Sequence, residues 1–218
     1  MFDFGKLAYE GQGLDRNKLY GEFWFGVFIY CLPFLAGVLA LVLILANPVE
    51  FLNYPLALAL MGLAFLSQGI YKFSVPSGEP ENTTVFKLMQ DPYANPLRGR
   101  YVQIEGKVIG KADAGSYFGE DVTMQDRSGC LIYLNYESLI PIFGNLFFGL
   151  GAAKKMIGQD SRAVGWFRRS TFQVIDLDKV EVLGQTIRSY TRFWGIILGL
   201  FFILLAVAVV VFKSIYNF

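Results

Sequence analysis

The sequence predicts a membrane α plus all-β protein, with three transmembrane helices and a small cytoplasmic β-barrel between the second and third. Three observations carry that prediction. Of 218 residues, 54% are hydrophobic and 17% charged, and the mean hydropathy is +0.43, too apolar for a single water-soluble domain. The apolar residues gather into three runs without a charge, 23–46, 51–70 and 193–212. Between the second and third runs, short segments alternate apolar and polar residues at the period of a strand.

Residues 1–22 carry Lys6, Arg16 and Lys18 among Asp3, Glu10, Asp15 and Glu22. This is not the basic head and small-residue cleavage site of a signal peptide, so the first run is expected to remain attached. At about 1.5 Å per residue, each run is long enough to cross a hydrocarbon layer of roughly 30 Å. Asn47, Pro48, Val49 and Glu50 alone separate the first two runs, which predicts a tight helical hairpin. Pro33 is expected to kink the first helix, and Pro55 lies near the start of the second. No Asp, Glu, Lys, Arg or His interrupts any run, so neither a proton relay nor an ion ring is expected within the bilayer, and a transporter or channel is not predicted. Gly195 and Gly199, and Ala36 and Ala40, form small-residue steps that allow close helix approach, either within the chain or between two copies of it.

Arg16, Lys18, Lys72, Arg188 and Arg192 flank one side of the runs, whereas the hairpin turn has no cation and the tail only Lys213. The positive-inside rule then places the N-terminus and the central segment in the cytoplasm and residues 215–218 outside. Asn82-Thr83-Thr84 matches a glycosylation sequon, but in that orientation it never meets the enzyme.

Residues 71–192 are long enough for one compact domain and read as mostly β. The expected strands are 101–110, Asp121–Asp126, 130–135, 162–168 and 172–178; the second and third are joined by the turn Arg127-Ser128-Gly129 and the last two by Arg169-Ser170-Thr171. Five strands with an insertion after the third suggest a Greek-key barrel of the OB type, with a five-stranded sandwich as the alternative. Gly106 and Gly165 would let barrel strands bend sharply, although a strand glycine also arises from packing alone. The insertion, 139–157, is too short and too glycine-broken to cross a bilayer. Phe143, Leu146, Phe147 and Leu150 recur at helical spacing ahead of Lys154 and Lys155, which suits an element resting in the headgroup layer. A helix plugging the barrel end is the other reading.

Little catalytic chemistry is available. The chain has no histidine, which removes the commonest metal ligand and general base and any Ser-His-Asp triad. Cys31 in the first run and Cys130 in the central segment offer neither a plausible bridge nor a zinc site. Gly144 and Gly149 begin like a phosphate loop, but the sequence continues Leu150-Gly151 in place of the required lysine. Glu120, Asp121 and Asp126 border one strand without a third ligand or an evident base, leaving a carboxylate-only enzyme as a minor reading. Trp166, Phe167, Arg168 and Arg169 interleave aromatics with cations as a single-strand binding surface does. Against this, residues 71–192 hold 15 Lys plus Arg and 13 Asp plus Glu, a balance unsuited to a phosphate groove.

The segments 84–99, Gly106-Lys107-Val108-Ile109-Gly110, 120–129, 157–159 and Gly165-Trp166-Phe167-Arg168-Arg169 together resemble the domain that follows the catalytic region in some prokaryotic HtpX-like membrane metallopeptidases. The likeness runs over residues 77–182. In that family the peptidase activity resides in a zinc-binding HExxH segment, which this chain lacks, so neither zinc nor proteolysis carries over. The resemblance implies a non-catalytic module of a prokaryotic inner-membrane quality-control system, associated with a membrane protease or a stomatin-like scaffold protein.

The expected function is therefore a membrane-anchored binding or scaffold subunit, with no catalytic residue, cofactor or metal. Its expected partners are the lipid bilayer, other membrane proteins and a second copy of itself. Phe143, Leu146, Phe147 and Phe148 are expected to face membrane or partner, and Trp166, Arg168 and Arg169 a cytoplasmic ligand. The alternative is a membrane-tethered OB module that binds nucleic acid or another anionic ligand.

Overall fold

The computed structural model describes residues 16–46, 52–73, 79–91, 94–112, 121–169 and 173–216. Three helices are long and apolar enough to cross a membrane: α1 (Arg16–Ala46), α2 (Asn53–Lys72) and, at the far end of the chain, α6 (Thr191–Tyr216). Many of their apolar side chains point away from the protein, Leu204 and Phe34 among the most exposed. An apolar surface of this extent is stable only against lipid or another apolar surface. The connection predicted to turn the hairpin, 47–50, lies outside the described residues, but Asn53 Nδ2 donates to the Leu43 carbonyl across it.

The helices pack through small residues. A Cβ on Gly199 would lie 2.6 Å from Leu66 Cγ and 2.8 Å from the Gly62 carbonyl, and one on Gly195 3.1 Å from Gly69 Cα. The Gly195–Gly199 step is thus filled by α2 of the same chain, so of the two readings of that step the structure shows packing within the chain.

Between α2 and α6 the chain forms β1 (Glu81–Asn82), α3 (Val85–Gln90), β2 (Arg100–Ala112), β3 (Asp121–Asp126) and β4 (Leu131–Asn135). Then come α4 (Pro141–Phe147), a π-helical turn (Phe148–Ala152), α5 (Ala153–Met156), β5 (Asp160–Arg169), β6 (Gln173–Val182) and β7 (Gln185–Arg188). Five strands close a circuit, β2-β3-β4-β6-β5 and back to β2, with β4 parallel to β6 and the other pairs antiparallel. The expected five strands and the insertion after the third thus form an OB-like barrel, not a sandwich. Two short strands missing from the sequence reading extend it: β1 on β2 and β7 on β6.

The long strand β2 pairs with β5 along its first half and β3 along its second, so it must bend near Gly106. A side chain there would run into the Gln125 carbonyl, and one at Gly165, opposite a bulge in β6 at Asp178, into the Asp176 carbonyl. Both glycines serve close strand approach at barrel corners. Inward residues such as Val102, Ile104, Met124, Ile132, Leu134, Phe167, Ile175 and Leu177 make one core. Val85 and Leu88 of α3 and Phe148, Ala153 and Met156 of the insertion complete it.

Candidate functional site

Alternation along β6 sends Ile175 and Leu177 into the core and turns Asp176 outward. An outward carboxylate normally meets water, yet Asp176 is 0% exposed. The wall of the barrel that carries it is covered by the ends of the long helices. Phe73, one residue beyond α2, meets Trp166 edge to face at 5.3 Å, the Arg192 guanidinium lies 5.7 Å from the Trp166 ring, and the Gly99 N–H donates to the Lys72 carbonyl. Tyr101, Trp166, Asp176 and Asn135 stand in one row across four paired strands, all on this covered wall.

Asp176 is the centre of an ionic junction. Its Oδ1 accepts from Asn135 Nδ2 and from Arg168 Nη2, each at 2.7 Å. Its Oδ2 lies 2.6 Å from Arg168 Nη2 and 3.6 Å from Lys72 Nζ, the last residue of α2. Tyr30 of α1 contributes a buried hydroxyl that feels the Arg168 guanidinium and the Asp176 carboxylate. Two further carboxyls feel the same charge. Burial, then Asp176 and Glu137, push Asp121 up to about 6. Burial likewise raises Glu137; Asp176 adds to the shift, while Lys72 and Arg168 oppose it. Tyr101 donates to Asp178 Oδ2 at 3.0 Å, and burial followed by that carboxylate pushes its phenol up to about 12.

A second clamp ties the barrel to α6. The Glu137 N–H donates to Ser189 Oγ, the Tyr190 N–H to the Glu137 carbonyl, and Trp194 Nε1 to the Ser138 carbonyl. The two clamps fix the barrel wall to the barrel-side ends of α2 and α6. Such an arrangement can hold, orient and transmit; among the described residues no group of three or more Cys, Asp or Glu is gathered where it could hold a metal ion.

Several predicted contact residues lie elsewhere than expected. Trp166 is 1% exposed, Arg168 is spent on Asp176, and Arg169 Nη1 donates to the Asp91 carbonyl. The ligand surface assigned to Trp166 and Arg168 is corrected: alternation does turn them out of the barrel, but the helix ends lie where a ligand would, and only the half-buried Arg169 keeps an open side. Within the insertion, Phe143, Leu146 and Phe147 are exposed, whereas Phe148 is 5% exposed and stacked on Tyr136. Its assignment to membrane or partner is likewise corrected, because Phe148 faces the core from the next position around the helix. Thus the insertion packs into the barrel on one side and leaves an apolar surface on the other. Asp121 and Asp126 stand at opposite ends of β3. Asp126 accepts from the N–H groups of Val85, Ser128 and Cys130, which is a structural role, and Glu120 lies outside the described residues.

Sequence reasoning missed Asp176, Lys72 and Tyr30 as one site. An alternating strand carries the same pattern whether its outer face meets water or a helix end. No protein-family model matches this chain, and no curated protein matches it either.

Proposed function

We propose that the chain is a membrane-anchored, non-catalytic binding subunit that holds a small barrel at a fixed height and orientation beneath three membrane-spanning helices, where it engages other membrane proteins. The single observation that supports this reading is the complete burial of Asp176 between Arg168 of the barrel and Lys72 of α2. A tethered domain that tumbles freely has no need of a buried ion pair to its anchor, because desolvating the charges is costly. A domain whose orientation is its function does. Lys72, Arg188 and Arg192 at the barrel-side helix ends support a cytoplasmic position for that side, and the HtpX-like resemblance favours a partner from membrane proteolysis.

The test is extraction of the chain in several mild detergents, followed by mass measurement of the intact assembly. A partner membrane protein is expected at fixed stoichiometry, with weaker retention in the Asp176→Asn variant. A monodisperse single chain under every condition, or turnover of a substrate by the purified chain, would overturn the reading. Trypsin applied to intact cells should leave the exposed Arg127 turn uncut; cleavage there would reverse the orientation.

A further inference from the structure

We infer that the insertion between β4 and β5 is a membrane-surface element: α4 lies along the boundary between headgroups and acyl chains, with its outer apolar side chains in lipid. This rests on the reading that α1, α2 and α6 span the bilayer. The first observation is chemical. Leu139, Ile140, Phe143, Leu146, Phe147 and Leu150 are each about half exposed or more, with Phe147 at 71%. Six such residues on one short segment make a patch of a kind that soluble surfaces avoid.

The second observation fixes the height of this patch. Trp194, in the first turn of α6, donates from Nε1 to the Ser138 carbonyl, so Ser138 stands where α6 begins its apolar run. The Ser138 N–H donates to Asn145 Oδ1 at 2.8 Å, which brings the middle of α4 to the same level. Phe148, directly after α4, stacks on Tyr136 with ring centroids 3.7 Å apart, which brings its end there too. A side chain on Gly144 would collide with Ser138 Oγ, so this close approach also depends on a glycine. A seven-residue helix is about 10 Å long. Starting three residues after Ser138, held to it again at Gly144 and Asn145 and to Tyr136 at Phe148, α4 stays near that level along its length.

The third observation concerns which surface is available there. The Tyr71 hydroxyl of α2 lies 3.4 Å from the Glu22 carbonyl of α1, near Trp24, and Gly195 of α6 packs on Gly69, so Trp24, Tyr71 and Trp194 mark one aromatic level across the three helices. Aromatic side chains of this kind collect where membrane meets water. Phe193 and Ile197 of α6, next to and one turn beyond the Trp194 that binds Ser138, are exposed apolar residues too, so lipid that reaches them lies at the level of α4. Lys154 and Lys155 follow it, both exposed, where an ammonium group meets headgroup phosphates. Phe148, Ala153 and Met156 are locked in the barrel core, which prevents the element from rolling its apolar face away.

The test uses single cysteines carrying an environment-sensitive fluorophore, placed in a chain with Cys31→Ala and Cys130→Ala and reconstituted into phosphatidylcholine and phosphatidylglycerol vesicles. Phe147→Cys is the reporter; Leu204→Cys in α6 and Leu183→Cys in the β6–β7 turn are the references. With a quencher on the upper acyl chain, the 147 label is expected to lose about half its emission and to emit to the blue of the 183 label. A 147 label that behaves like the 183 label while the 204 label is quenched by deep acyl quenchers overturns the inference and leaves the spans intact. An unquenched 204 label overturns both. A 147 label shielded from water and lipid alike, with self-quenching that grows with protein density, assigns the surface to a second copy and also overturns it.

Discussion

Replacing Asp176 by Asn is the most direct test of the junction. The change preserves size and leaves an acceptor for Asn135, but it removes the charge and leaves Arg168 and Lys72 facing one another. Removing one partner of a fully buried pair costs about 3–5 kcal/mol. Here the carboxylate is 0% exposed, but the cations are 19% and 25% exposed and recover part of their hydration, which lowers the expected cost to about 2–3 kcal/mol. For a chain of this size, that is a fall in Tm of roughly 4–12 °C. Tryptophan fluorescence melts in mild detergent would measure it, and amide exchange along β6 and the end of α2 would localise it. Arg168→Gln supplies the second arm of a double-mutant cycle, with an expected coupling of about 1–2 kcal/mol. A Tm shift below about 1 °C, or strictly additive losses, would refute the claim that this pair holds barrel and helices together.

Other outcomes follow from the same geometry. Asp121 has its pKa raised to about 6, so the folded chain binds that proton more tightly than the unfolded chain. Stability should therefore rise as pH falls from above 7 toward about 4, the unfolded carboxyl range; Asp121→Asn should flatten that rise in pH-dependent melts. Gly199→Val should separate α2 from α6 and cost about 1–3 kcal/mol, read as loss of cross-linking between cysteines placed on the two helices. Gly21→Ala, with nothing within 4 Å of the added carbon, should leave the packing unchanged and gain several tenths of a kcal/mol. Asp126→Ala strands the N–H groups of Val85, Ser128 and Cys130, and should cost about 3 kcal/mol and expose α3 to limited proteolysis.

The regular elements could be read directly from the sequence because their periods are long and uninterrupted. Five strands were found in place, with shifts of a few residues at their ends, and the barrel followed from their number and the position of the insertion. Short polar elements escaped: Gln185–Arg188 contains one apolar residue, and Val85–Gln90 is less than two turns long. The junction escaped for another reason. Lys72 reads as a flanking cation and Asp176 as an ordinary outward strand residue, and no local pattern states that a helix end covers one wall of the barrel. Phe147 and Phe148 show the same limit on a smaller scale: neighbours of identical composition, one 71% and the other 5% exposed, separated only by about 100° of helical rotation.

The two-residue step from β7 to α6, Ser189 and Tyr190, bears on biogenesis. The circuit cannot close until β5 and β6 have emerged from the ribosome, and β6 ends at Val182, with only β7 and short turns before the third helix. In the proposed topology, the first hairpin is then already inserted, and the insertase receives α6 while the barrel is still docking against it. Barrel closure and the last insertion step become one event on the translating chain, so a mutant slow to close should accumulate as a two-span species open to quality-control proteases.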